Sequence, residues 1–400
     1  MEKHFKKSIE EKQVSQEFSQ KRNMTRRSFI KSAVGAALVV ASEPVVGMAE
    51  ALANNNEQLS DKEKIDQFVV KLVGSTKDQI PQMTDGDNKM QSFSNNFRYI
   101  LDLLIENKNL VDETTYAGFA NLQQAINRKN FSRIEVDQAM SELLVHFANN
   151  GYFFNIYNQV NDEDLFIKGS NQEILLEQYE GITKVFPQVS GKKTNLFYVD
   201  YDRRDKENII FGVTTHGQIM INMNEHDRYF ESEASIAKEK YPFLEELSKE
   251  NFIKHTESNE LAHKVLNFVY HFSPLIKHDW QAVDSGTSDY QIKNSEDVYE
   301  FLSDAVSMNT EPEVCVLMIL SANGFKESYG YSIDFLKSVL NKKMKISGVY
   351  EKREIFNEEQ RMSDFLKGLS SEDFVDIQNA FLEQSRVLID EIEKINISSS

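Results

Sequence analysis

Apolar residues return every three or four positions along much of this chain, and that period predicts helices. Ile65, Phe68, Val69 and Leu72 form one such stripe. Phe97, Ile100, Leu101 and Leu104 form a second, and Val136, Ala139, Met140, Leu143, Leu144 and Phe147 a third. Gly and Pro, which interrupt helices, are scarce between residues 61 and 186. Near residue 190 the pattern changes. Residues 195–201 and 209–215 are rich in β-branched and aromatic side chains, and residues 217–223 alternate at period two. These runs predict three strands of a small sheet, antiparallel where the turns are short. Helical spacing returns over 233–247 and 251–272, gives way to a loop at 282–293, and resumes over 295–308, 312–322, 329–342, 361–369 and 371–394. The last residues, 397–400, are expected to fray. There is no internal repeat. The expected fold is α+β and predominantly helical, with a small central sheet flanked by helices.

The N-terminal stretch has a different character. A polar lead over residues 1–23 is followed by Thr25, Arg26, Arg27, Phe29, Ile30 and Lys31, and then by an apolar run over 32–46. That run ends in the small residues Ala49, Ala51 and Ala53. A charged lead, an apolar middle and an A-x-A site make a secretory signal. The run is interrupted by Glu43 and Pro44 and falls short of the roughly 20 apolar residues that a spanning helix needs. The segment 25–31 resembles the bacterial twin-arginine export signal. The resemblance implies recognition by the twin-arginine export machinery through Arg26 and Arg27, export in a folded state, and cleavage after Ala53. It also implies a periplasmic or extracellular destination. No second apolar run reaches spanning length, so no stable membrane span is expected after cleavage.

Charge and cysteine content narrow the partners. The whole chain has a formal net charge of −18, and residues 1–53 are net positive, so residues 54–400 are more acidic still. Such a chain is a poor partner for nucleic acid or anionic membranes. Cys315 is the single cysteine, which excludes an internal disulfide and suits a chain that folds in a reducing compartment before export. It lies in the apolar run 314–320 and reads as a buried small hydrophobe. The sequence contains no Walker loop, no G-x-S-x-G, no paired Cys cluster and no dinucleotide fingerprint.

The candidate chemistry lies on the helix expected over 251–272. On a helical wheel Leu261, Ala262, Val265, Phe268, Val269 and Phe272 share one side, which predicts burial there. Asn259, Glu260, His263, Asn267 and His271 share the other. Asn259 and His263, four apart, point the same way, with Glu260 beside them. Downstream, Glu300 and Asp304 share a face of the helix expected over 295–308. Asn259-Glu260-Leu261-Ala262-His263 resembles the H-E-x-x-H helix of zinc metallopeptidases, with Asn in place of the first His. Glu300 to Asp304 resembles the E-x-x-S-D segment of the thermolysin-like peptidases, the gluzincins. Residues 217–223 occupy the place of the substrate-binding edge strand in that family.

The resemblance covers residues 195–310. It implies a zincin-like core with Glu260 as general base, His263 and Glu300 as metal ligands, and Asp304 as a supporting group behind the ligands. An amide oxygen binds zinc poorly, so Asn259 leaves three readings open. The site is inactive; or another residue, His255 or His271, supplies the missing ligand; or Asn259, His263 and Glu300 hold a divalent ion other than zinc. In the inactive case Asp304 is expected to pair with the Asn259 amide.

The expected organisation is a signal over 1–53, a helical region over 54–190, a zincin-like core over 191–345 and C-terminal helices over 346–400. The functional expectations are an exported metal-dependent peptidase acting on peptides or proteins, an inactive zincin-fold binding protein of the cell envelope, or an exported helical protein with no metal site.

Overall fold

The computed structural model describes residues 59–76, 89–108, 111–127, 133–154, 166–200, 211–215, 218–270, 272, 278, 280, 292, 294–321, 326–346 and 365–399. The expected export signal with Arg26, Arg27 and Ala53, His271, and residues 282–291 and 293 of the expected loop lie outside these residues.

Four helices come first: α1 (Asp61–Thr76), α2 (Lys89–Glu106), α3 (Glu113–Asn127) and α4 (Arg133–Asn149). The strands β1 (Tyr152–Phe154), β2 (Phe166–Lys168) and β3 (Ser170–Leu175) follow, then the short helix α5 (Glu180–Val185) and β4 (Lys193–Val199). The hairpin β5 (Gly212–Thr215) and β6 (Gln218–Asn222) leads into α6 (Met223–Tyr229), a π-helical turn (Phe230–Ala234) and α7 (Ser235–Lys240). The last long elements are α8 (Lys249–Phe268), α9 (Ser295–Met308), α10 (Pro312–Ser321), α11 (Lys326–Ile346) and α12 (Ser371–Ser399). The protein is predominantly helical, with a small sheet, as the periodicity predicts.

Strands β1 and β2 form an antiparallel pair, and a separate four-stranded sheet has the order β3-β4-β6-β5. The strands expected over 195–201, 209–215 and 217–223 correspond to β4, β5 and β6. Several details depart from expectation: the helix expected over 233–247 ends at Lys240 and is followed by a 3₁₀ turn at Pro242–Leu244. Strands β1 to β3 fall where helix is expected; in β1, Tyr152, Phe153 and Phe154 are all buried and show no alternation. The edge strands are β3 and β5, and β6 lies inside the sheet. Helix α12 continues to Ser399 instead of fraying after 396.

The chain divides into two compact units. One contains the described residues before Glu173 and the described part of Phe197–Lys206. Its core gathers the three predicted stripes: Ile65, Phe68 and Val69 from α1, Ile100 and Leu104 from α2, and Leu143 and Phe147 from α4. Phe154 and Phe166 stack at 4.7 Å across the β1–β2 pair. Gly118 on α3 lets α4 approach, since a Cβ there would lie 2.7 Å from Leu143 Cδ1. Asp112 caps α3, its carboxylate accepting from the Thr115 backbone N–H at 2.9 Å.

The other unit contains the described residues of Glu173–Leu196 and Glu207–Ser400. Helix α9 is its axis: residues 297, 298 and 300–308 are all buried. It packs against α5, α8, α10, α11 and α12. Asn294 starts it, its side chain accepting from the N–H groups of Glu296 (2.8 Å) and Asp297 (3.1 Å). Helix α5 crosses α9 at Gly181, where a Cβ would sit 2.1 Å from the Val306 carbonyl oxygen.

Candidate functional site

Helices α8 and α9 lie side by side, and their facing surfaces carry the residues singled out from sequence. His263 sits between two carboxylates. Its Nε2 is 3.6 Å from Glu300 Oε1 on α9, and its Nδ1 is 3.7 Å from Glu260 Oε2, one turn earlier on α8. The Tyr299 ring stacks on the imidazole with centroids 4.6 Å apart, fixing its plane. Glu300 is 1 % exposed, His263 5 % and Glu260 9 %.

The polar face of α8 is therefore largely buried, while Phe268, expected inside, is 36 % exposed. The cause is tertiary, because α9 and the β5 edge cover the polar face. Strand β5 comes close because Gly212 carries no side chain; a Cβ there would lie 2.8 Å from Glu260 Cγ. Two residues along β5, the Thr214 hydroxyl reaches Glu260 Oε2 at 2.7 Å and the Glu260 carbonyl at 2.9 Å. Thr214 is a site residue that the sequence reading missed. It falls inside a correctly placed strand run, but period alone does not say which helix a strand will face.

Asn259 joins the cluster from its N-terminal side. Its amide donates to Ser303 Oγ at 3.1 Å. Ser303, and not Asp304, thus takes the bond expected of the amide, because Ser303 stands one turn beyond Glu300 on the face of α9 turned to α8. Asp304 is buried, and its backbone carbonyl accepts from Cys315 Sγ at 3.4 Å.

His255 lies elsewhere. It is two turns N-terminal to His263, about 12 Å along the helix axis, in a recess lined by His226, Phe211, Tyr229, Phe252, Thr256 and Met318. Burial, reinforced by the neighbouring His226, pushes its pKa down to about 3. Burial likewise takes His226 down to about 4, with Asp227 and Lys249 acting on it in opposite directions. Both imidazoles are held neutral at physiological pH.

The residues can be tested against a divalent cation. Zinc–ligand distances of about 2.0–2.2 Å put two donors of one tetrahedral ion roughly 3.4 Å apart. The Nε2–Oε1 spacing of 3.6 Å is close to that requirement. The donor set fits in kind: one imidazole, one carboxylate and a neighbouring amide. It is sparse in number, and among the described residues no three His, Cys, Asp or Glu side chains form a group arranged to hold a metal ion.

No described helix is long and apolar enough to cross a membrane. No protein family matches the chain, and no curated protein or solved structure matches it either.

Proposed function

We propose that this is an exported zincin-like protein whose core carries a metal-dependent peptidase centre with a non-standard ligand set. The observation that supports this reading is the position of His263, bracketed by Glu300 and Glu260 at 3.6 and 3.7 Å beside the edge strand β5. His263 and Glu300 would hold a divalent cation, zinc or another, with the Asn259 amide oxygen as a weak third ligand. An amide in place of an imidazole shifts the preference from zinc towards harder ions. Bound there, the cation would supply Lewis acidity. Glu260, oriented by the Thr214 hydroxyl, is the group that would accept a proton from a water molecule. An edge strand has one row of backbone groups unused within its sheet, which suits an extended peptide substrate.

The test is metal content and peptide hydrolysis of the protein recovered after export, with zinc, manganese and cobalt added in turn. The expected result is bound metal that is lost in His263→Ala, and hydrolysis that falls at least about 100-fold in Glu260→Gln. A metal-free protein that hydrolyses no peptide with any of the three ions overturns the peptidase reading.

The Asn259–Ser303 bond favours a second reading. It ties the amide to α9 without any ion, as in an inactive zincin-fold protein that binds a peptide or a cell-envelope partner. Asn259→His separates the cases. If the zincin geometry holds, the variant gains zinc affinity by orders of magnitude, because His263 and Glu300 already stand at ligand spacing. A variant that still ignores zinc removes the geometry on which both readings depend.

A further inference from the structure

We infer that the recess between His226 and His255 is a second site, one that binds a soft monovalent cation of the Cu(I) class. His226 comes from α6 and His255 from α8, and they are 2 % and 7 % exposed. Both ring nitrogens of His226 and the Nε2 of His255 are buried with no hydrogen-bond partner. A buried polar atom left unpaired costs about 1–3 kcal/mol, and two rings carrying three such atoms on one small recess is a concentration that folded proteins rarely carry without a ligand. Among the described residues, the other oxygen or nitrogen side chains on the recess are Tyr229 and Thr256. The Thr256 hydroxyl is already bonded to the Phe252 carbonyl at 3.2 Å.

The chemistry of the walls selects the ligand. Among the described residues no carboxylate lines the recess. The cost of burying an ion rises with the square of its charge, so a divalent cation with only neutral donors is strongly disfavoured. Two neutral imidazoles with a thioether close by, Met318, form a soft donor set of low coordination number, which favours Cu(I) over zinc, calcium or magnesium. The Phe211 ring, 5.1 Å from the His226 ring, adds an aromatic wall of the kind that stabilises a cation. Burial keeps both imidazoles unprotonated, so protons do not compete for these nitrogens near neutral pH. A single water is the competing occupant that such a space could hold.

The experiment uses the full-length protein, reduced and anaerobic, titrated with Cu(I) against a chromogenic Cu(I) chelator, with Zn²⁺ in a parallel titration. We expect one equivalent of Cu(I) to be retained and no zinc to be held in this recess. His226→Gln and His255→Gln each lower the Cu(I) affinity at least tenfold, and Met318→Leu lowers it less. Cys315→Ser and His263→Ala retain the full equivalent, which separates this site from the single thiol and from the centre proposed above. X-ray absorption of the Cu(I)-loaded wild type shows imidazole nitrogen neighbours, a result that stands even where a glutamine variant fails to fold. A wild type that surrenders all Cu(I) to the chelator overturns the inference and leaves water as the occupant. So does a folded His226→Gln, His255→Gln double variant that keeps its copper, and so does a spectrum without imidazole scattering.

Discussion

Single residues here are set by what covers them. His226 and His255 show this through pH. Their folded-state pKa values, about 4 and about 3, lie below the ordinary histidine value of 6.5. An unfolded chain therefore takes up protons on both as the pH falls through 6.5, while the folded chain takes up none until near pH 4. The stability they contribute is fully present above pH 6.5 and is lost as the pH falls from there towards 4. Each contributes a slope of roughly 1.4 kcal/mol per pH unit in that window. Urea unfolding between pH 7 and 5 should show this slope, and His226→Gln should lower it by one proton; an unchanged slope would contradict the burial of His226. Thr214 supports a second residue-scale prediction. Thr214→Val removes the hydroxyl donor to buried Glu260 and should destabilise the fold by about 1–3 kcal/mol, measurable in the same assay.

At the scale of elements, helix boundaries were legible in part: the helix expected over 251–272 begins at Lys249, behind the Ser248 cap, and ends at Phe268. The helix expected over 295–308 has those limits in the structure, where Asn294 supplies the N-cap. Asn294→Ala should cost about 1 kcal/mol, seen as a lower denaturant midpoint with an unchanged slope. Helix α10 begins at Pro312, a residue favoured at the first turn. The strand β1 was not legible, since a three-residue strand buried throughout carries no alternation to detect. Close crossings were equally silent. Nothing around Gly181 announces that α5 meets the backbone of α9 there. Gly181→Ala drives a methyl group against the Val306 carbonyl and should cost about 1–3 kcal/mol or more, read as a fall in melting temperature.

The molecule as a whole joins an acidic chain with a single buried thiol to two compact units with separate cores. Since Cys315 is the only cysteine, its thermal unfolding should be the same with and without reductant. A melting temperature that rises on oxidation would point to an intermolecular bridge. The proposed export route makes a prediction at the same scale. Replacing Arg26 and Arg27 together by Lys should leave full-length precursor in the cytoplasm, as fractionation would show, and continued export would remove the twin-arginine reading. The sequence by itself determined the helical character, the position of the central strands and the shared helix faces of Asn259 with His263 and of Glu300 with Asp304, because hydrophobic period and side-chain spacing are local properties of the chain. Only the tertiary structure decided that α9 and β5 bury the polar face of α8, that Ser303 receives the Asn259 amide, that Thr214 holds Glu260, and that His255 turns to His226 instead of joining His263. Those outcomes depend on which surfaces meet across long stretches of sequence, and no local pattern encodes that.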